Sequence, residues 1–245
     1  MTNQYDNPVF FEKYSQMLRS VEGLDGAGEW PALRELLPDF KDKRILDLGC
    51  GFGWHCRYAV EHGAKKVVGV DSSEKMLLRA KKQTASDVIT YIHSAVEEVS
   101  FPAESFDVVV SSLVLHYIRS FADICRKVNA WLVAGGDFVF SVEHPVFTAQ
   151  GPQDWFYSPK GKKLHWPVDN YFREGKRESC FLGERVEKYH KTLTTYLNTL
   201  INMGFEIRQV IEPQPTERFL KDVPDMADEL RRPMMLLVAA RKKSE

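Results

Sequence analysis

The sequence predicts an α/β fold in which a mixed sheet of seven strands carries helices on both faces. Short apolar runs alternate with segments of helical apolar spacing between residues 40 and 142. A glycine-rich turn follows the first of these runs, with glycine at positions 49, 51 and 53. The alternation returns after residue 190 and ends in two more strand patterns. Alternating strands and helices indicate a largely parallel sheet that is covered on both faces.

Residues 1–40 are the first predicted unit, a helical lid. Apolar residues recur at helical spacing between residues 8 and 20, namely Phe10, Phe11, Tyr14, Met17 and Leu18. A Gly-rich break at residues 22–28 follows, and a second short helix from Trp30 to Leu37 ends near Pro38. Aromatic amphipathic helices often serve packing alone, which stays open as the alternative to a lid.

Residues 41–142 are the predicted core of the fold. We expect strands at residues 44–48, 66–70, 88–93, 105–111 and 137–142, and helices at residues 54–62, 73–84 and 121–132. These five strands supply the parallel part of the sheet.

Residues 143–190 interrupt the rhythm and are predicted to be an insertion after the fifth strand. The segment has low periodicity and many aromatic residues, including Trp155, Phe156, Tyr157, Trp166, Tyr171 and Phe172. We expect these rings to roof a pocket and to exclude water from it, so that the insertion caps the substrate. The alternatives are a small satellite core and a contact within a homodimer.

Residues 191–245 complete the core. A helix is predicted at residues 192–203, with Gly204 after its end, and strands are predicted at residues 205–211 and 234–240. The expected strand order is 3-2-1-4-5-7-6, with the last two strands antiparallel at one edge.

Composition narrows the classes of partner. The 245 residues include 33 Lys and Arg against 34 Asp and Glu, for a net charge of -1. Such a chain has no overall field that attracts nucleic acid or an anionic membrane, so a small molecule is the expected partner. No apolar run approaches the roughly 18 residues of a spanning helix, and we expect a cytoplasmic protein. The four cysteines form no C-x-x-C pair, so no metal site is expected.

The glycine turn and a later acid together predict a nucleotide-like ligand. Glycine at positions 49, 51 and 53 lets the backbone pass close to a ligand where a Cβ would collide. The following helix turns its free N–H groups toward the same place. Asp71 ends the next strand, 20 residues after Gly51, where a carboxylate can accept both hydroxyls of a ribose.

The kind of nucleotide follows from a second acid. Asp47 precedes Gly49 by two residues, where we expect its carboxylate to lie beside the ligand. A carboxylate there repels a pyrophosphate and suits a cationic amino-acid ligand. The turn also lacks the third glycine at the spacing G-x-G-x-x-G. Both observations favour S-adenosylmethionine over NAD.

Three segments carry a resemblance to a known family. Residues 45–53 (ILDLGCGFG), 68–76 (VGVDSSEKM) and 106–117 (FDVVVSSLVLHY) resemble successive motifs of the class I S-adenosylmethionine-dependent methyltransferases. The chain is most similar to their small-molecule branch, methyltransferase type 11, which includes the ubiquinone-biosynthesis enzymes. The resemblance implies a Rossmann-like fold, S-adenosylmethionine as cofactor and methyl transfer to a small molecule.

The resemblance also implies roles for individual residues. Those expected at the cofactor, besides Asp47, are Tyr14, Arg19, Gly49, Gly51, Gly53, Asp71, Ser72, Met76, Ala95, Val96 and Ser111. Of these, Asp71 would bind the ribose with Ser72 beside it, and Ser111 would face the methionine part. Many similar enzymes have an acid for the adenine amine after the third strand, where this chain has Ser94 and Ala95. Backbone groups of Ala95 and Val96 are therefore expected to bind the adenine.

Methyl transfer from a sulfonium is an in-line displacement that needs alignment and exclusion of water. A base is needed only if the acceptor is protonated at working pH. The candidates are His116, Glu143 and His144, at the ends of the fourth and fifth strands, and His144 is the first to test. Glu143 and His144 alternatively brace the turn before Pro145. An RNA or protein methyltransferase and a non-catalytic cofactor-binding protein stay open as other functions.

Overall fold

The structure is a computed structural model that describes residues 3–244. Met1, Thr2 and Glu245, which belong to the predicted lid and C-terminal units, lie outside the described residues. The strands are β1 (Arg44–Leu48), β2 (Lys66–Asp71), β3 (Ile89–His93), β4 (Phe106–Ser112), β5 (Leu132–Glu143), β6 (Phe156–Tyr157), β7 (Lys163–His165), β8 (Gly175–Phe181), β9 (Glu184–His190), β10 (Phe205–Ile211) and β11 (Met235–Lys242). The helices are α1 (Pro8–Ser15), α2 (Leu18–Val21), α3 (Trp30–Leu36), α4 (Trp54–Glu61), α5 (Glu74–Lys82), α6 (Phe121–Trp131), α7 (Pro145–Thr148), α8 (Leu193–Asn202) and α9 (Glu217–Asp222).

Seven of these strands form the central sheet, in the order β3-β2-β1-β4-β5-β11-β10. The five strands from β1 to β5 pair in parallel. β11 is antiparallel to both of its neighbours, β5 and β10. With β10 and β11 counted as the sixth and seventh strands, the predicted order and the antiparallel edge are confirmed.

The sheet is buried on both faces because its strands carry continuous apolar runs. Leu46 and Leu48 belong to the apolar layer that α6 and α8 cover, whereas Ile45 belongs to the opposite layer under α4 and α5. Successive side chains of a strand point to opposite faces, so a strand covered on both sides needs apolar residues throughout. Trp30 and Leu33 of α3 cover the sheet near β5 and β11.

The predicted N-terminal helix is divided into two. Asn7 caps α1 by accepting hydrogen bonds from the N–H groups of Val9 and Phe10. The helix ends at Ser15 with Gln16 as its C-cap, and Met17 then takes an extended conformation with ψ 148°. Helical apolar spacing continues through this break, which is why the sequence predicts one helix there.

The insertion contains two hairpins, β6–β7 and β8–β9, that the weak periodicity of residues 143–190 does not predict. Leu182 and Gly183 join β8 to β9, and both have positive φ values, 54° and 78°. Positive φ at both central residues is typical of the tight hairpin turn that matches strand twist. The N–H of Tyr189 donates to the carbonyl of His116 over 2.7 Å. This hydrogen bond fastens the hairpin to the loop after β4.

Three further findings concern the described residues as a whole. None of the helices within residues 3–244 combines the length and apolar character needed to cross a membrane. The same residues contain no group of three or more His, Cys, Asp or Glu side chains arranged to hold a metal ion. Cys50, Cys56 and Cys125 are buried free thiols, and Cys180 is an exposed one.

Candidate active site

A cavity of about 720 Å³ opens at the carboxyl ends of β1, β2 and β4. Open α/β sheets bind their ligands at this edge, and the volume is within the range of about 300–1,000 Å³ for small-ligand sites. Other parts of the wall come from the N-terminal segment, the β8–β9 hairpin and the residues at the start of β11. The fold therefore assembles one cavity from segments at both ends of the chain.

The glycine turn forms one side of this cavity. Gly49 and Gly51 have positive φ values of 77° and 52°. A Cβ on Gly49 would collide with Val114, whereas a Cβ on Gly51 would enter open space. Because both glycines line the cavity, that open space is available to a ligand that approaches the backbone. The turn thus fits a nucleotide-like cofactor.

Asp71 is fixed against the glycine turn by two backbone hydrogen bonds. The N–H of Gly51 donates to Oδ2 and the N–H of Ser73 donates to Oδ1, both over 2.8 Å. Burial raises the pKa of this carboxyl above its ordinary value, and the two N–H groups partly oppose that effect. Each oxygen keeps a lone pair for a ligand, and the side chain lines the cavity.

Most of the residues predicted at the cofactor line the cavity together. They are Tyr14, Arg19, Gly49, Gly51, Asp71, Ser72, Met76, Ala95 and Val96. Two of the three candidate catalytic residues, His116 and Glu143, also line it.

Three predicted cofactor contacts lie elsewhere. Asp47 is 1% exposed, accepts a hydrogen bond from the Cys56 thiol over 3.3 Å, and lies behind the turn rather than on the cavity wall. Burial raises its pKa to about 7, so it is a poor partner for a cation in the cavity. The hydroxyl of Ser111 donates to the carbonyl of Leu48 inside the sheet. Gly53 has a φ of 73°, and a Cβ there would collide with Tyr91, so its role is in packing.

The expectation that His144 points into the site is wrong. Its Nδ1 accepts a hydrogen bond from the N–H of Val146 over 3.0 Å, which caps α7. Its Nε2 lies 2.8 Å from a carboxylate oxygen of Glu212. The ring therefore packs outside the cavity, against the start of α7 and beside Glu212, because β5 ends at Glu143 and the next residue turns away from the sheet edge.

We therefore expect His144→Ala to reduce stability while turnover stays close to that of the unchanged enzyme. Loss of the α7 cap and of the contact with Glu212 should lower the free energy of unfolding by about 1–2 kcal/mol. Urea unfolding and a methyl-transfer assay measure the two effects. Glu212→Gln keeps the cap and is the control. A large loss of turnover in folded His144→Ala would return His144 to the active site.

The aromatic residues of the insertion that were predicted to roof the cavity do not line it. The rings of Phe147 and Trp166 stack at 4.9 Å, and the guanidinium of Arg232 lies 4.2 Å from the Trp166 ring centre. Trp155 packs on Trp166 in the same cluster, away from the cavity. The satellite-core alternative describes Trp155 and Trp166, whereas Phe156, Tyr157 and Phe172 are exposed. The insertion contributes to the cavity wall through the β8–β9 hairpin instead, with Phe181, Arg185, Val186 and Glu187.

His116 is held in one orientation. It is 2% exposed, and its Nδ1 accepts a hydrogen bond from the N–H of Glu143 over 3.3 Å. Burial lowers its pKa to about 4, so the ring is neutral at pH 7. A neutral ring that accepts at Nδ1 carries its proton on Nε2. His116 can therefore donate a hydrogen bond from Nε2.

Glu143 belongs to a closed ring of hydrogen bonds that the sequence did not reveal. The ammonium of Lys188, 3% exposed, donates to Glu143 over 2.6 Å and to Gln153 over 2.8 Å. The amide of Gln153 donates to the other Glu143 oxygen over 2.7 Å. Burial opposes ionisation of Glu143, but the Lys188 ammonium and the Gln153 amide favour it, and the pKa of Glu143 lies below its ordinary value. An ionised carboxylate thus stands beside neutral His116.

Several other cavity residues were not predicted from the sequence. Tyr5 donates from its hydroxyl to that of Tyr117 over 3.3 Å, and its ring packs edge-on against Tyr14. Glu29 lines the cavity at 2% exposure. No local pattern marks these side chains, although the Leu182-Gly183 turn could have indicated the hairpin that contributes Phe181.

Comparison with known proteins gives whole-chain relatives. The family model "methyltransferase domain" matches residues 46–140. A protein of Listeria monocytogenes assigned to the S-adenosylmethionine-dependent methyltransferases is 58% identical over 91% of this chain and 100% of its own, with a TM-score of 0.86. An S-adenosylmethionine-dependent methyltransferase of Mesorhizobium loti is 48% identical over 90% of this chain and 100% of its own, with a TM-score of 0.83. A Haemophilus influenzae protein is 34% identical over 97% of this chain and 96% of its own.

Shorter matches reach enzymes with other acceptors. A tRNA U34 carboxymethyltransferase of Actinobacillus pleuropneumoniae is 33% identical over 54% of this chain and 43% of its own. Protein arginine N-methyltransferase 1 of Dictyostelium discoideum is 30% identical over 63% of this chain and 52% of its own. Their partial coverage contrasts with the two solved structures, which match about nine-tenths of the chain. Because these two proteins are 58% and 48% identical over about nine-tenths of this chain, the chain belongs to the class I S-adenosylmethionine-dependent methyltransferases and uses S-adenosylmethionine as its cofactor.

Proposed function

We propose that this methyltransferase acts on a small molecule that shares the cavity with the cofactor. The proposal rests on which segments of the chain form the cavity wall. Tyr5 and Tyr14 of the N-terminal segment and Phe181 and Val186 of the β8–β9 hairpin line it together with the sheet edge. A ligand between these segments is surrounded by protein, as small-molecule ligands usually are. The net charge of -1 supports the same class of acceptor.

The cofactor would be held along the ends of β1, β2 and β3. Gly49 and Gly51 would lie against it, Asp71 would accept the ribose hydroxyls, and backbone groups of Ala95 and Val96 would meet the adenine near Met76. Arg19 would reach the amino-acid end. The bound cofactor supplies an activated methyl group, so the protein's contribution is alignment and exclusion of water.

His116 and Glu143 are the proposed polar contacts of the acceptor. His116 carries a proton on Nε2 and would donate a hydrogen bond that orients the acceptor's lone pair. Glu143 is ionised, and each of its oxygens keeps one lone pair despite Lys188 and Gln153. It would accept a proton from the acceptor or stabilise positive charge that forms there.

An RNA or a protein acceptor is the competing hypothesis, and the partial matches to tRNA and arginine methyltransferases favour it. Methyl-labelled S-adenosylmethionine, incubated with the enzyme and with separate small-molecule, RNA and protein fractions of a cell extract, distinguishes the three. We expect label in the small-molecule fraction, and much less of it with Asp71→Ala at the same cofactor concentration. Label confined to RNA or to protein would overturn the proposal.

A further inference from the structure

Arg19 and Glu29 form a buried ion pair within the cavity wall. The guanidinium donates to Oε1 of Glu29 through Nη2. The side chain of Arg19 is 21% exposed and that of Glu29 only 2%. Both residues line the cavity, from α2 and from the residue before α3.

Each member of the pair has unused hydrogen-bonding capacity. The Oε2 atom of Glu29 is buried and has no hydrogen-bond partner within residues 3–244. Among the same residues Arg19 donates a side-chain hydrogen bond through Nη2 alone, so Nε and Nη1 retain their donors. A buried carboxylate oxygen without a partner is costly, which indicates that a ligand completes the arrangement.

His55, a second basic neighbour of Glu29, supplies no positive charge. The ring of His55 packs against Trp30, the next residue after Glu29. Burial lowers the pKa of His55 to about 4, so His55 is neutral at pH 7. Arg19 is thus the cation that balances Glu29, and a ligand that meets both residues should itself carry both signs of charge.

The amino-acid end of the cofactor has this pattern, with an α-carboxylate and an α-ammonium on one carbon. We propose that Glu29 binds the α-ammonium through Oε2 while Arg19 binds the α-carboxylate. The pair thus recognises both charges of the amino-acid end together. The sequence assigned the cationic end to Asp47, but that carboxyl lies behind the glycine turn with a thiol as its partner. Glu29 is the carboxylate that reaches the same cavity from the N-terminal segment.

Calorimetric titration of Glu29→Gln with three ligands tests the assignment. The affinity for S-adenosylhomocysteine should fall about 10- to 100-fold, the range for a hydrogen bond between charged groups. The affinity for 5′-methylthioadenosine, which lacks the amino-acid end, should not change. The affinity for the deaminated analogue of S-adenosylhomocysteine should not change either, because the group that Glu29 contacts is absent. Removing both the Glu29 charge and the ligand's ammonium should weaken binding no more than removing either one alone.

Glu22→Gln is the matched control, since Glu22 lies on the same segment but pairs with exposed Arg218. It should leave all three affinities unchanged. Equal weakening toward 5′-methylthioadenosine in Glu29→Gln would show a structural role and overturn the proposal, as would unchanged affinity for S-adenosylhomocysteine. If Glu29→Gln does not fold, the proposal is tested on the unchanged enzyme. That enzyme should bind the deaminated analogue about 10- to 100-fold more weakly than S-adenosylhomocysteine. Equal binding of the two ligands would overturn the proposal.

Discussion

Asp71→Ala is expected to weaken S-adenosylmethionine binding by about 100-fold or more. Two ribose hydroxyls that donate to one carboxylate contribute roughly 3 kcal/mol or more together, at 1.5–3 kcal/mol for each charged hydrogen bond. The change also removes the acceptor for the N–H groups of Gly51 and Ser73. The glycine turn would then lose the partner that fixes it. Calorimetric titration with the cofactor measures the effect.

Asp71→Asn separates these two contributions. Its amide oxygen can still accept one of the two backbone hydrogen bonds, so the turn should be less disturbed while ribose binding is still weakened. Asp123→Asn, a change on the exposed side of α6, should leave the affinity as it is. Cofactor affinity of folded Asp71→Ala equal to that of the unchanged enzyme would remove Asp71 from the ribose site.

His116→Asn should lower kcat by about 100-fold while cofactor affinity stays nearly constant. The amide oxygen can replace Nδ1 as the acceptor for the N–H of Glu143, so the turn after β5 keeps its hydrogen bond. The Nε2 donor, which would orient the acceptor, is lost. Removal of one such preorganised donor commonly costs about 100- to 1,000-fold in rate. Methyl transfer to the labelled small-molecule fraction measures kcat, and titration measures cofactor binding.

His116→Gln is the matched variant, because its terminal amide can reach the place of Nε2. It should retain more activity than His116→Asn. A purely structural role for His116 predicts the reverse order, since only the Asn side chain reproduces the Nδ1 contact. Unaltered turnover in both variants would exclude His116 from the acceptor site.

Local patterns were sufficient to predict the strands of the central sheet, the glycine turn and Asp71 at the end of β2. Each of these features depends on a few neighbouring residues. Apolar runs mark strands buried on both faces, and positive φ requires glycine in the turn. The order of the sheet also followed, because alternating strands and helices leave few connections between parallel strands. The fold of the insertion did not follow, since its apolar residues have no regular period.

The sequence by itself determined the family, the cofactor and the edge of the sheet at which the cavity opens. Only the tertiary structure decided which side chains reach the cavity. Asp47 and Ser111 are adjacent to the site in sequence but bond within the sheet and its turn. Glu29 lines the cavity from a distant segment, and Lys188 contacts the cavity residue Glu143 from another. The direction in which a side chain points depends on how remote segments pack. Lys188, for example, contacts Glu143, which is 45 residues away in sequence. Short-range periodicity carries no information about such a contact, because it forms only when the hairpin packs on the sheet edge.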